Sequence, residues 1–423
     1  MGTTVKRIWR IVRWITGIIG ALMLLLFIFV QWRWDAPVSR PAPLMSAPHD
    51  SATIARGEYI FKYQAQCWGC HADETGDANS APSGGRLFDL SGTGPGFGIW
   101  FSRNITPDKE TGIGEWTDGE IVQAIREGVR KNRKVLFPLM PVDWFHGISD
   151  SDALALAAYL KSIPPVLHRV PDQRPSFFAK ALFAFGVLKP KVPITEPLTA
   201  PPAGATAAYG KYLATTVALC MDCHTPRNLK NGEVYSDSLA SGSSIAFGDE
   251  DGAPFVSFAR NITPDSATGI GNWTEAQFLA AVTTGMRPDG TVLDPHMPYP
   301  YFKSFSTDDL KAIFLFLRSV PPVHRRTPEP RFSSALMAAR GVVRGKLLFQ
   351  ARCETCHGPS GKGATPTHVT LAEVVPSLAE ADLKEFVREG NPGLKMPSFG
   401  MTLKGEDLDD LVAYLRSLEH KGD

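Results

Sequence analysis

Three short stretches decide how this chain folds: CWGCH at Cys67–His71, CMDCH at Cys220–His224 and CETCH at Cys353–His357. Together they use all six cysteines of the 423 residues. In each, two cysteines stand three positions apart and a histidine follows at once. A disulfide framework gives no reason to place histidine after the second sulfur three times out of three. A zinc site needs four ligands; each stretch supplies three, crowded on one turn, with no consistent fourth nearby. Covalent porphyrin attachment needs this arrangement. The cysteine spacing matches one helical turn, so two thiols reach the same ring edge and add across its vinyl groups, while the next residue aims an imidazole at the iron. The expectation is three haem c groups. They are tethered by Cys67 and Cys70, Cys220 and Cys223, and Cys353 and Cys356, with His71, His224 and His357 as axial iron ligands.

The opposite side of each iron needs a partner. Of ten methionines, three precede proline: Met140 in FPLMPVDW, Met297 in DPHMPYPY and Met396 in GLKMPSFG. One falls after each haem stretch and before the next. Proline fixes φ and stiffens the loop that presents the sulfur, and methionine opposite histidine gives a six-coordinate iron of raised potential, suited to electron transfer. Met140, Met297 and Met396 are therefore the expected distal ligands. The nearby competitors are His146, His296 and Met401. The other histidines, His49, His168, His324, His368 and His420, are expected at the surface.

The formal net charge is +1, but five basic residues (Lys6, Arg7, Arg10, Arg13, Arg33) precede the first acid, Asp35. The mildly acidic remainder argues against a nucleic-acid partner. Trp14–Val30 is apolar apart from Thr16 and is about long enough to span a bilayer. Basic residues crowd before it and tryptophans flank it, which places the N-terminus in the cytoplasm and the body outside. A cleaved signal peptide is the alternative, but no small-x-small site directly follows Val30. Either way the body is exported.

RNITPDKETGIGEWT from Arg103 recurs as RNITPDSATGIGNWT from Arg260, and the first two Met-Pro pairs keep the same 157-residue offset. The third segment lacks this block but keeps the outer frame: a glycine before the haem stretch and a closing amphipathic helix. The closing helices are SDALALAAYLKS, TDDLKAIFLFLRS and GEDLDDLVAYLRS, with apolar residues at helical spacing. The expected fold is all-α, with three tandem cytochrome c-like domains in which first and last helices cross. The expected boundaries are residues 1–35 for the cytoplasmic tip and anchor, 50–166, 205–325 and 341–423 for the domains, and 167–204 and 326–340 for Pro-rich linkers. The linkers contain the apolar runs SFFAKALFAFGVL and FSSALMAARGVV, which either pack on their own domains or dock on a partner subunit or the membrane. Arg103, Arg260 and Arg227 are candidate partners for haem propionates. Trp116 and Trp273 either wall a haem edge or fill a core.

With these motifs in view, the chain resembles the three-haem cytochrome c subunit of bacterial membrane-bound periplasmic dehydrogenases, over about Gly57 to Leu418. The two NITPD-x-x-TGIG-x-W blocks, CHTPRN at Cys223 and MPY at Met297 carry the likeness. The resemblance implies a large dehydrogenase subunit carrying pyrroloquinoline quinone, flavin or molybdopterin as partner, a further small subunit, and ubiquinone or a downstream cytochrome or oxidase as acceptor. The first domain departs from the pattern, with MPVDWF where the family has MPYP. The implied function is a membrane-anchored electron wire with no catalytic residues of its own. Two alternatives are a freestanding multihaem shuttle and a haem enzyme such as a peroxidase.

Overall fold

The structure is a computed structural model. It describes the chain apart from residues 1, 73–78, 93, 229–233, 246–254, 292, 294–296, 329–330, 333–341, 343–344, 347, 351, 359–360, 362–369, 392, 394–395, 401–402, 404 and 419–423. His296, Met401, His368, His420 and nearly all of FSSALMAARGVV thus lie outside the described residues. The chain divides into two compact units, Met1–Ala203 with Tyr212–Leu219, and Gly204–Lys211 with Cys220–Asp423.

The first unit opens with α1 (Thr3–Arg33). Among the described residues it is the one helix long and apolar enough to cross a membrane, and its described apolar side chains apart from Val30 are exposed. Next come α2 (Ser51–Tyr59), α3 (Trp68–His71), α4 (Asp118–Glu127), α5 (Val142–Phe145), α6 (Asp150–Ser162) and α7 (Phe177–Ala184). The second unit holds α8 (Ala207–Tyr212, its last residue counted with the first unit), α9 (Cys220–His224), α10 (Glu275–Thr284), α11 (Tyr299–Phe302) and α12 (Thr307–Ser319). It continues with α13 (Glu354–His357), α14 (Leu371–Val374), α15 (Glu380–Glu389) and α16 (Gly405–Ser417).

The duplication is written into the helix ends. Thr117 caps α4 and Thr274 caps α10, each in a reciprocal capping box closed by Glu120 or Gln277 three residues on. Both helices stop at a left-handed glycine, Gly128 or Gly285. The closing helices α6 and α12 are capped by Ser149 and Ser306, whose hydroxyls accept from the backbone of Asp152 and Asp309.

The expected crossing of first and last helices is present three times, and a glycine makes each one. A Cβ on Gly57 would stand 1.9 Å from the Ala155 carbonyl oxygen. On Gly210 it would stand 1.8 Å from that of Ala312, and on Gly345 1.8 Å from that of Asp410. Backbone therefore touches backbone at each crossing, and no other residue fits. Aromatic rings close the same joint in two places, Phe61 on Tyr159 and Phe349 on Tyr414, both at 5.3 Å. In the second unit, Leu348, Phe349, Val375, Leu383, Val387, Leu411 and Leu415 build a continuous apolar core against which Cys353 and Met396 pack.

Helices dominate, but the all-α expectation needs correction. β1 (Leu87–Asp89), β2 (Gly98–Phe101) and β3 (Arg174–Pro175) form an antiparallel sheet, and β4 (Phe255–Val256) pairs with β5 (Arg331–Phe332). Strands of two to four residues are too short for an alternating pattern to announce itself. Two of these strands also come from segments expected to be linker or linker edge. Residues 167–204 are thus no free linker: they contribute β3 and α7 to the first unit, and Lys191 and Ile194 donate backbone N–H groups to Glu127.

Candidate functional site: three Cys-x-x-Cys-His turns

Each haem stretch folds as a single turn. Cys70 N donates to Cys67 O at 3.2 Å and His71 N to the same oxygen at 3.0 Å. The third copy repeats this, with Cys356 and His357 both donating to Cys353 O at 3.1 and 2.9 Å. The residue before the first cysteine takes a left-handed conformation in two copies, Gln66 at φ 49° and Leu219 at φ 55°. In both, a wide π-type turn, Ile60–Gln64 or Leu213–Val217, leads into it. Such local departures gather at functional sites. The inner residue of the turn, Trp68 or Met221, is buried, so the turn is pinned to its core. The first cysteine is half-buried and the second exposed in all three, and no two of the six are joined as a disulfide.

The two histidines of the repeated block are oriented alike. The Nδ1–H of His71 donates to the Arg103 carbonyl oxygen at 2.9 Å, and that of His224 to the Arg260 carbonyl at 2.7 Å. This fixes the tautomer and leaves the Nε2 lone pair for a metal. Burial pushes both imidazoles below their ordinary pKa, partly countered by that bond, and so favours the neutral, ligating form. Burial pushes the Cys67, Cys220 and Cys353 thiols up to about 12, which disfavours the thiolates that zinc or a nucleophilic role would need. Among the described residues, no group of three or more Cys, His, Asp or Glu could hold a metal ion between side chains.

The three Met-Pro methionines are all half-buried. Met140 and Met297 occupy the same local structure: each carbonyl accepts from the residue two ahead, Val142 or Tyr299, as α5 or α11 begins behind the proline. Met396 sits instead in an isolated bridge with Asn391, donating and accepting at 2.9 Å. The competitor His146 has its Nδ1 on the Arg126 carbonyl at 3.0 Å.

Two family models match the chain: "Cytochrome c" over residues 54–164 and "Cytochrome C oxidase, cbb3-type, subunit III" over residues 341–415. The chain carries cytochrome c domains. Along most of its length the cytochrome is also similar to dehydrogenase subunits. It is 29% identical to a nicotinate dehydrogenase subunit of Pseudomonas putida, over 95% of this chain but 33% of that protein. It is 29% identical to the cytochrome c subunit of alcohol dehydrogenase (quinone) from Gluconacetobacter polyoxogenes, over 87% of this chain and 81% of the relative. The gluconate 2-dehydrogenase cytochrome c subunit of Pantoea cypripedii is 27% identical, over 89% of this chain and 87% of its own length. The cytochrome thus spans a third of the first relative and more than four-fifths of the other two. The latter two are named as cytochrome c subunits of dehydrogenases.

Cytochrome c domains carry haem covalently, and the residues here fit it. Two thiols share a turn, a neutral imidazole is aimed by its Nδ1 bond, and a buried cationic edge stands nearby. Arg103 Nε and Arg130 Nε are buried with no hydrogen-bond partner in the structure. Burial lowers the pKa of both guanidiniums, and the proximity of Arg103 lowers that of Arg130 further. Two neighbouring guanidiniums with unused donors suit the carboxylates of a propionate edge. Arg130 was invisible in the sequence as a partner of Arg103. Arg227, by contrast, pairs with Asp222. Trp116 and Trp273 are half-buried.

The residues that sequence reasoning missed belong to the RNITP block. Its functional atom is a backbone carbonyl, which no side-chain motif encodes. The side chains hold that carbonyl in place. Asn104 Oδ1 accepts from Thr106 N and Thr106 Oγ1, while its amide donates to Thr111 Oγ1 and the Val166 carbonyl. Asn261 does the same with Thr263, Thr268 and Val323. The glycine facing the block, Gly84 or Gly242, lies at positive φ with backbone atoms of the block within 3.0 Å of where a Cβ would be. Its N–H donates to the carbonyl of the proximal histidine. His168 is no plain surface residue: it is half-buried and its Nδ1 meets the Ser83 carbonyl at 2.9 Å. Arg325, at the matching position of the second copy, binds the Ser241 and Ser243 carbonyls. Asn261→Ala strips a buried network of several hydrogen bonds and is expected to cost about 2–3 kcal/mol, with the loss measured by chemical denaturation of the holoprotein.

Proposed function

We propose that the chain is a membrane-anchored triheme cytochrome c that takes electrons from a partner periplasmic dehydrogenase subunit and passes them to the respiratory chain. The three haems supply one-electron Fe(III)/Fe(II) chemistry. The polypeptide supplies everything else. Cys67/Cys70, Cys220/Cys223 and Cys353/Cys356 tether the rings. His71, His224 and His357, together with Met140, Met297 and Met396, would ligate the irons. The domains are residues 50–166, 205–325 and 341–423. Burial and the arginine edge tune the potentials.

The observation that carries this reading is the shared aim of His71 and His224, each held through Nδ1 by the carbonyl of a duplicated loop. A ligating imidazole needs such a second-coordination bond, and here it falls on the histidine of a Cys-x-x-Cys-His turn in both copies. The likeness to cytochrome c subunits of alcohol and gluconate dehydrogenases supports a dehydrogenase partner; that partner would carry pyrroloquinoline quinone, flavin or molybdopterin, and ubiquinone or a downstream cytochrome or oxidase would be the acceptor. The 27-residue candidate span Arg7–Arg33, with its apolar run Trp14–Val30, supports an anchor in the inner membrane, with the haem domains on the periplasmic side.

Intact-mass and pyridine haemochrome measurements on protein from a maturation-competent host are expected to give three haems per chain. Replacing both cysteines of any one motif with alanine is expected to remove one haem and leave two. A mass equal to the bare polypeptide would sink the reading.

A further inference from the structure

We propose that α7 is a second membrane contact: a short helix lying in the outer headgroup–acyl boundary, clamped across the end of α1, with lipid as its partner. The proposal rests on α1 being the membrane anchor.

The geometry of the clamp is specific. Phe177 stacks on Phe27 at 5.7 Å and 10°, and Phe185 meets Phe29 at 5.5 Å. The two ends of α7 therefore touch α1 at positions only two residues apart, about 3 Å of axial rise. An eight-residue helix is about 12 Å long, so α7 runs across α1 and not along it. Lys180 ties the junction from the other side: its Nζ donates to Gln31 Oε1 at 2.9 Å and lies 5.3 Å from the centre of the Trp34 ring. Val30 is fully covered.

The level of the clamp is set by α1. Phe27 precedes Arg33, the basic end of the apolar stretch, by six residues, which is about 9 Å along the axis. Interfacial helices bury their apolar face about 5–10 Å into the headgroup–acyl boundary. The composition matches such a helix, with phenylalanine and leucine on one part of the surface and Lys180, Lys189 and Lys191 in or just after it. Ala179 and Ala184 are buried, and Phe183 faces the body, 6.4 Å from Trp100 and from Phe137. Each of Phe177, Phe178 and Phe185 has one ring contact, with Phe27, Phe97 and Phe29, yet they stay 44%, 39% and 59% exposed, and Val187 is 64% exposed. This patch is continuous with the exposed apolar surface of α1, and a surface that adjoins a lipid-facing helix at that depth meets the same lipid.

The test uses the full-length holoprotein in vesicles of phosphatidylethanolamine and phosphatidylglycerol. A benzophenone amino acid replaces Val187, or in separate variants Phe185, Leu24 in α1, or exposed Glu110. Retention of all haems checks the fold of each variant. After irradiation, mass spectrometry of the peptides is expected to show lipid adducts at 24, 185 and 187 and none at 110. Lipid at 24 without lipid at 185 and 187 overturns the second contact and leaves the anchor standing. Adducts at 185 and 187 with a copurified polypeptide overturn it in favour of a protein partner. No lipid at any position overturns both the contact and the anchor.

Discussion

Gly57→Ala is expected to destabilise the cytochrome by about 2–4 kcal/mol, lowering its thermal midpoint by several degrees. The reason is the crossing of α2 and α6. The added methyl lands 1.9 Å from the Ala155 carbonyl oxygen and 2.7 Å from the Tyr159 Cβ. Neither is the end of a flexible side chain, so two helices must separate and the packing of Phe61 on Tyr159 loosens with them. Gly210→Ala and Gly345→Ala meet the same obstacle at Ala312 and Asp410. Gly69→Ala is the contrasting case. Gly69 lies inside the CWGCH turn with nothing within 4 Å of its added Cβ, and the change is expected to stay within about 0.5 kcal/mol. Thermal denaturation of the four holoproteins separates the two classes; equal midpoints for Gly57→Ala and Gly69→Ala would refute the backbone-to-backbone crossing.

Met297→Leu is the second large effect. Axial ligands move haem potentials over a span of about 0.8 V, and a thioether opposite histidine lies on the high side of that span. Removing it is expected to lower the potential of one haem by on the order of 100 mV and to abolish one methionine–iron charge-transfer band. The other two haems should hold their positions in the titration. Met140→Leu and Met396→Leu should each shift a different haem. The local setting gives Met140 and Met297 equal standing, since both introduce a short helix behind proline. Met396 rests on the core that also receives Cys353. An unmoved titration for any one of them removes that residue from the ligand set.

The parts of this molecule that were legible in advance are those carried by side chains at fixed spacing. The Cys-x-x-Cys-His turns, the Met-Pro pairs, the 157-residue duplication and the closing helices all announce themselves through residue type. The crossing glycines were legible as a recurring position, although their purpose became visible only with the facing carbonyls. What escaped was carried by backbone. The carbonyls of Arg103 and Arg260 have no letter in the sequence, and Asn104 and Asn261 looked like members of a loop motif and not like braces. The short strands escaped because two-residue pairings have no period. His168 was misjudged because its role is filled by Arg325 in the other copy; the matching position keeps a contact to carbonyls and not a chemical type. Arg130 escaped because its nearness to Arg103 comes from tertiary folding across 27 positions of chain.

The glycine crossings have a consequence for the speed of electron passage. When an iron gains or loses a charge, its surroundings shift to suit the new state, and the work of that shift sets much of the barrier. Helices locked backbone against backbone at three points leave little room for such a shift. A scaffold this stiff favours oxidised and reduced forms that share nearly one set of atomic positions, and such forms are what electron transfer at small driving force requires.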